Sequence, residues 1–116
     1  MVIEDDAVFA QLLKASFEKA GHQVELQYDA ELALQTLKSA PKTFDVVVVD
    51  GVMPKLTGWE FCRRIKEHPA TKNLPLIMVT NKQAAADEFL SYEAGADAHL
   101  SKPFELSTVL ALVEQL

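Results

Sequence analysis

The chain has 116 residues, 49% hydrophobic and 24% charged, with a formal net charge of -6 and a pI of about 4.9. That length fits one compact domain with a single core, and the composition is that of a globular chain rather than a disordered one. The acidic balance excludes a broad basic face for nucleic acid, no apolar run reaches the roughly 20 residues of a membrane span, and a single cysteine, Cys62, leaves no internal disulfide.

Val2-Ile3 is a short apolar strand running into Glu4-Asp5-Asp6, too acidic a start for a signal peptide, so the cytoplasm is the expected location. Asp6 to Ala20 reads as a helix. Phe9, Leu12, Leu13, Ser16, Phe17 and Ala20 form one stripe at helical spacing, and Gly21 is the stop. Val24 to Tyr28 alternates apolar and polar residues, as a half-buried edge strand does. Asp29 caps a second helix through Ala40, with Ala30, Ala33, Leu34 and Leu37 inward. Phe44 to Val49 is the continuous apolar run of a strand covered on both faces. A helix from Thr57 to Glu67 turns Phe61, Cys62 and Ile65 inward, with Trp59 near its start as a packing or partly exposed surface residue and Arg63, Arg64 and Lys66 as a solvated basic face. Leu76 to Thr80 is a fourth strand, Gln83 to Glu93 a fourth helix, Ala98 to Leu100 a fifth strand and Glu105 to Leu116 the last helix. His22 and His68 lie near turns and read as solvated.

Five strands alternating with five helices predict a parallel sheet with helices on both faces, in a single domain spanning 1–116. In such sheets the ligand site lies beyond the carboxyl ends of the strands. Those ends carry Glu4-Asp5-Asp6, Asp50, Thr80 and Ser101-Lys102-Pro103. Carboxylates forced together repel unless a cation intervenes, and a hard divalent ion with oxygen ligands, Mg²⁺ most simply, resolves the repulsion. A carboxylate is also a nucleophile able to form an aspartyl phosphate, while a lysine and a metal offset charge on a transferred phosphoryl group. Asp6 reads as a helix-start acid that complements the helix dipole rather than as a ligand.

The segments VIEDD, VVVVDGVMPKLTG, LIMVTN and AGADAHLSKPF, in this order and at these strand ends, carry a resemblance. The chain resembles the receiver domain of two-component response regulators, of the chemotaxis-regulator type. The resemblance covers essentially the whole chain. It implies a flavodoxin-like doubly wound fold with strand order 2-1-3-4-5, and a phosphorylation-dependent switch acting on a partner or output domain. Asp50 is then the phosphoacceptor, taking a phosphoryl group from a phosphohistidine. Glu4, Asp5, Asp50 and the backbone carbonyl of Val52 hold Mg²⁺. Thr80 and Lys102 bind the phosphoryl group, Lys102-Pro103 is a cis bond, and Met53-Pro54 and Gly58 shape the loop after the acceptor. The implied partners are a sensor histidine kinase or phosphotransfer protein and a downstream effector protein or domain. A homodimer through the fourth helix, fifth strand and fifth helix is an option set by surface chemistry there. On this reading the domain is not an enzyme beyond its own phosphoryl transfer and slow autodephosphorylation, and it is either stand-alone or cut from a longer protein.

Several positions depart from the family pattern. His99 stands where the family usually has Tyr or Phe as a switch residue, which implies weaker or pH-dependent coupling. Asn81 stands where the family has Ala or Gly, which implies crowding at the phosphoryl site. Val52 cannot position a water and Lys82 can shield the phosphoryl group, so these lifetime-tuning positions imply slow dephosphorylation. The alternative reading is a pseudo-receiver that binds partners without phosphorylation. A metal-dependent aspartyl-phosphate phosphatase fits poorly, because Val52 stands where an acid/base aspartate is needed.

Overall fold

Each strand expected from the sequence is present, and all five lie in one parallel sheet. The computed structural model describes residues 1–40, 43–50, 56–81, 95–102 and 105–116, with the backbone alone for 81, 101 and 102. The helix expected over 83–93, with Phe89 and Tyr92, lies outside the described residues. So do Val52, Met53, Pro54, Lys82, Pro103 and Phe104. The strands are β1 (Val2–Ile3), β2 (Leu26–Gln27), β3 (Val47–Asp50), β4 (Leu76–Asn81) and β5 (Ala98–Lys102). Their order is β2-β1-β3-β4-β5 with every pairing parallel, as the doubly wound fold requires.

Side-chain alternation along the strands builds two apolar layers. Ile3, Val47, Val49, Leu76 and Met78 face one way. They pack against α2 (Ala30–Ser39) through Ala33, Leu34 and Leu37, and against α3 (Gly58–Glu67) through Phe61, Cys62 and Ile65. Val2, Val48, Ile77 and Val79 face the other way. They pack against Leu13 and Phe17 of α1 (Ala7–Lys19) and Val109 of the C-terminal helix Leu106–Gln115. The central strands are therefore apolar on both faces, which explains the unbroken valine run.

The helix starts follow from local chemistry. Oδ1 of Asp6 accepts from the N–H groups of Val8 and Phe9 at 3.0 and 3.2 Å, so the acid read at the helix start is its N-cap. Asp29 caps α2 in the same way, at 2.8 and 3.2 Å, and Thr57 caps α3. Gly21 ends the first helical segment at φ +96°, a conformation that favours glycine.

Some boundaries move. β2 is two residues long rather than five because its ladder is only as long as β1, Val2 facing Leu26 and Ile3 facing Gln27. β3 starts at Val47 rather than Phe44. Pro75, whose carbonyl takes the Val47 N–H, has no N–H of its own to continue the ladder toward residue 45. β5 runs on to Lys102 because β4 continues to Asn81 opposite it. Leu12, expected inside, is 51% exposed, so the stripe of α1 is narrower than its apolar content suggests. His22 and His68 are not merely solvated. The His22 ring meets Phe17 edge-on at 6.4 Å, and Nδ1 of His68 accepts from the Ala70 N–H at 3.1 Å.

Candidate functional site

Parallel strands bring their carboxyl ends to one edge, so residues distant in sequence become neighbours there. β3 ends in Asp50, whose side chain sits beyond three buried valines. β1 ends at Ile3, and the Glu4 N–H still extends the ladder to the Gln27 carbonyl at 3.0 Å before the chain turns into α1. Glu4 and Asp50 are only 2% and 7% exposed, while Asp5 is exposed. One carboxylate oxygen from each of Glu4, Asp5 and Asp50 lies within 4.8 Å of the other two. Oε1 of Glu4 also accepts from the Asp6 N–H at 3.3 Å, which helps hold a buried carboxylate. Asp6 is committed to its cap and lies outside the group.

Three carboxylates at this spacing, two of them buried, make an all-oxygen donor set with concentrated negative charge. Such a set fits a hard divalent cation of the Mg²⁺ kind and offers nothing to a thiophilic metal.

β4 adds Thr80, which is fully buried, one residue beyond the Val79 that pairs with Asp50. Its Oγ1 lies 2.9 Å from Nε2 of His99 on β5. In register His99 faces Met78, so it reaches diagonally to the next residue on the same face of β4. The backbone of Lys102 pairs with Asn81 at the same edge. The side chains of both, and all of Val52, Lys82 and Pro103, lie outside the described residues.

One supporting feature was not legible in the sequence. Lys66, read as part of a solvated basic face, is instead mostly buried. Its Nζ donates to the Leu74 carbonyl at 2.8 Å and to Oδ2 of Asp97 at 2.9 Å. The same Oδ2 accepts from the Leu76 N–H at 2.8 Å, and the Asp97 N–H donates to the Leu76 carbonyl at 2.9 Å. This clamp fixes the start of β5 against the start of β4. Arg63 and Arg64 do lie on the outside, paired with Glu60, and Arg64 reaches Glu31 of α2 at 3.5 Å. Cys62 is buried as expected, and burial pushes its thiol up to about 11.

A family model of the response regulator receiver domain matches residues 1–114. The chain belongs to that family. This receiver domain is 34% identical over 116 residues to the response regulator MprA of Mycolicibacterium vanbaalenii, covering 100% of the receiver and 48% of MprA. Among solved structures, a response regulator from Chloroflexus aurantiacus superposes with a TM-score of 0.92 at 31% identity, over 98% of the receiver and 92% of that chain. A BeF3-activated DrrB receiver domain superposes with a TM-score of 0.85 at 29% identity, over 98% of the receiver and 92% of that chain. The receiver spans about half the length of the curated relatives it matches. Among the described residues, no helix is long and apolar enough to cross a membrane.

Proposed function

We propose that this receiver domain is a switch driven by phosphorylation of Asp50. The observation that carries the reading is the convergence of Glu4, Asp5 and Asp50 within 4.8 Å at the strand ends, next to a buried Thr80 hydroxyl. A carboxylate oxygen of Asp50 attacks the phosphorus of a phosphohistidine on a kinase or phosphotransfer protein. An O–P bond forms, the P–N bond breaks, and the electron pair leaves on the donor imidazole. Glu4, Asp5, Asp50 and the Val52 carbonyl would hold Mg²⁺, which when bound supplies positive charge against the phosphoryl oxygens. The Thr80 hydroxyl donates to one of those oxygens, and the Lys102 ammonium attracts another.

The modified state differs from the resting one in where Thr80 and β5 sit, and a partner that prefers one state shifts the balance. The downstream partner is an effector protein or domain. The domain turns over no other substrate. Val52 and Lys82 set a long phosphorylated lifetime, and Asn81 slows small donors.

Incubation with Mg²⁺ and acetyl phosphate tests the reading, with intact mass for the adduct and amide NMR for the response. The expected result is one Mg²⁺-dependent phosphoryl adduct, absent from Asp50→Asn, with shifts reaching Thr80 and His99. Folded protein that takes up neither phosphate nor a beryllofluoride mimic would refute it and leave a partner-binding pseudo-receiver.

A further inference from the structure

The amino end of the sheet, opposite the edge that carries Asp50, holds a cavity of about 370 Å³. Its walls are the segments leading into β2 and β3. In register, Val2 lies between Leu26 of β2 and Val48 of β3. Two residues nearer the amino end, Val24 and Val46 lie on the same face of the sheet, half-buried, with the cavity between them. Phe17 of α1 and Val113 of the C-terminal helix line it from the helix layer. Its mouth is open to solvent, because Gly21, Gln23 and Asp45 are exposed.

The main chain shows what this space fits. β1 is tied to β3 through Met1, whose nitrogen donates to the Val46 carbonyl at 2.9 Å and whose carbonyl accepts from the Val48 N–H at 2.9 Å. It is tied to β2 through the Val2 N–H, which donates to the Glu25 carbonyl at 2.9 Å. In an extended chain the N–H and C=O of one residue point the same way, so the N–H groups of Val46 and Glu25 face the cavity from opposite walls. Neither has an acceptor among the described residues. Nε2 of His22, a residue that lines the same cavity, is buried and also has no hydrogen-bond partner among the described residues.

Two donors facing each other across the width of one strand select their ligand. An extended backbone turns successive carbonyls to opposite sides, whereas a small apolar molecule has no carbonyl to offer. One side chain on that backbone falls between Val24 and Val46, where an apolar group fits. The next falls on the other face beside Gln23 and Asp45, where the exposed Asp45 and Glu25 favour a basic group.

We propose that this cavity is a strand-acceptor site. It takes an extended segment of another polypeptide, in line with β1 and parallel to β2 and β3, with an apolar side chain between Val24 and Val46 and a basic one beside Asp45. The mode is strand addition, in which main-chain bonds give affinity and the side-chain slot gives selectivity. One buried valine side chain and two main-chain bonds put the dissociation constant of a two-residue segment on the order of 1 mM. The proposal does not depend on the reading of Asp50.

Amide NMR of the 116-residue protein, titrated with acetyl-Lys-Val-amide, tests it. The Val46 and Glu25 amide protons are expected to move downfield and saturate as each gains an acceptor. Acetyl-Lys-Asp-amide, which puts a charge in the apolar slot, is expected to bind at least about tenfold more weakly. A chain with Lys-Val placed directly ahead of Met1 supplies the same segment in cis. It is expected to melt higher than one with Lys-Asp there and to stop responding to the peptide. No shift at either amide with peptide at about 10 mM, tenfold above the expected constant, overturns the proposal. So does a response confined to the tethered chain, which would make this a seat for a segment of the same polypeptide. Indole that perturbs the cavity residues as strongly, with no downfield move of the two amides, would assign the space to small apolar molecules. Shifts that follow protein concentration alone would assign it to a second copy. Either result overturns the proposal.

Discussion

Replacing Asp97 by alanine isolates the clamp that seats β5. Two losses follow from the geometry. The Leu76 N–H, in a residue with no exposed surface, loses its 2.8 Å acceptor and is left unsatisfied, at about 1–3 kcal/mol. The ion pair to Lys66 is also lost. With side chains 19% and 39% exposed it contributes only about 0.5–1 kcal/mol, and Lys66 keeps its bond to the Leu74 carbonyl. The sum is about 1.5–4 kcal/mol, which for a domain of this size lowers Tm by roughly 10 °C. Asp97→Asn keeps an oxygen for the Leu76 N–H and loses only the charge, so it is expected to cost about 1 kcal/mol or less. Urea midpoints and calorimetry on both variants measure the difference. A cycle with Lys66→Met separates the ion pair from the backbone bond. If the alanine and asparagine variants fall within about 0.5 kcal/mol of each other, the buried N–H is not what the clamp protects and the reasoning fails.

Mg²⁺ at a hundredfold excess over its dissociation constant is expected to stabilise the wild type by about 2.7 kcal/mol. Thermal scans should show the gain fall sharply in Asp5→Asn and Asp50→Asn. Gly95→Ala is expected to destabilise more than Gly21→Ala. Both glycines have positive φ, but a Cβ on Gly95 would lie 2.9 Å from the Lys66 Cγ while Gly21 faces open space, and chemical denaturation of the pair reads the gap. The Cys62 thiol, pushed up from 9.0 to about 11, keeps its proton in the folded state where the unfolded chain loses it. Its contribution is therefore intact below pH 9 and falls by about 1.4 kcal/mol per pH unit between 9 and 11. Urea titrations should show this slope in the wild type and not in Cys62→Ala.

Element identity was legible wherever periodicity was strong. The inner stripe of α2, Ala30, Ala33, Leu34 and Leu37, is buried as read, and the valine run does end on a carboxylate at the strand edge. The rule that parallel strands carry their site at the carboxyl ends then sufficed to group Glu4, Asp5 and Asp50. Strand limits were less legible because a ladder is as long as its shorter partner permits. Pro75, just before β4, stops β3, and β1 limits β2. Leu12 was misplaced because helical spacing identifies a stripe without saying how wide a surface the sheet presents to it. The bonds of Lys66 to Asp97 and of Thr80 to His99 were invisible because they join residues 31 and 19 positions apart. Charge and polarity alone assign such groups to solvent, and only the register shows what they meet.

The reciprocal bonds between Asp97 and Leu76 also set a count. From that anchor β5 climbs in step with β4, so His99 arrives beside Thr80 by being two residues beyond Asp97. Because neighbours on a strand point to opposite faces, one residue inserted or deleted between Asp97 and His99 would turn the imidazole to the other side of the sheet and bring an apolar neighbour to the hydroxyl.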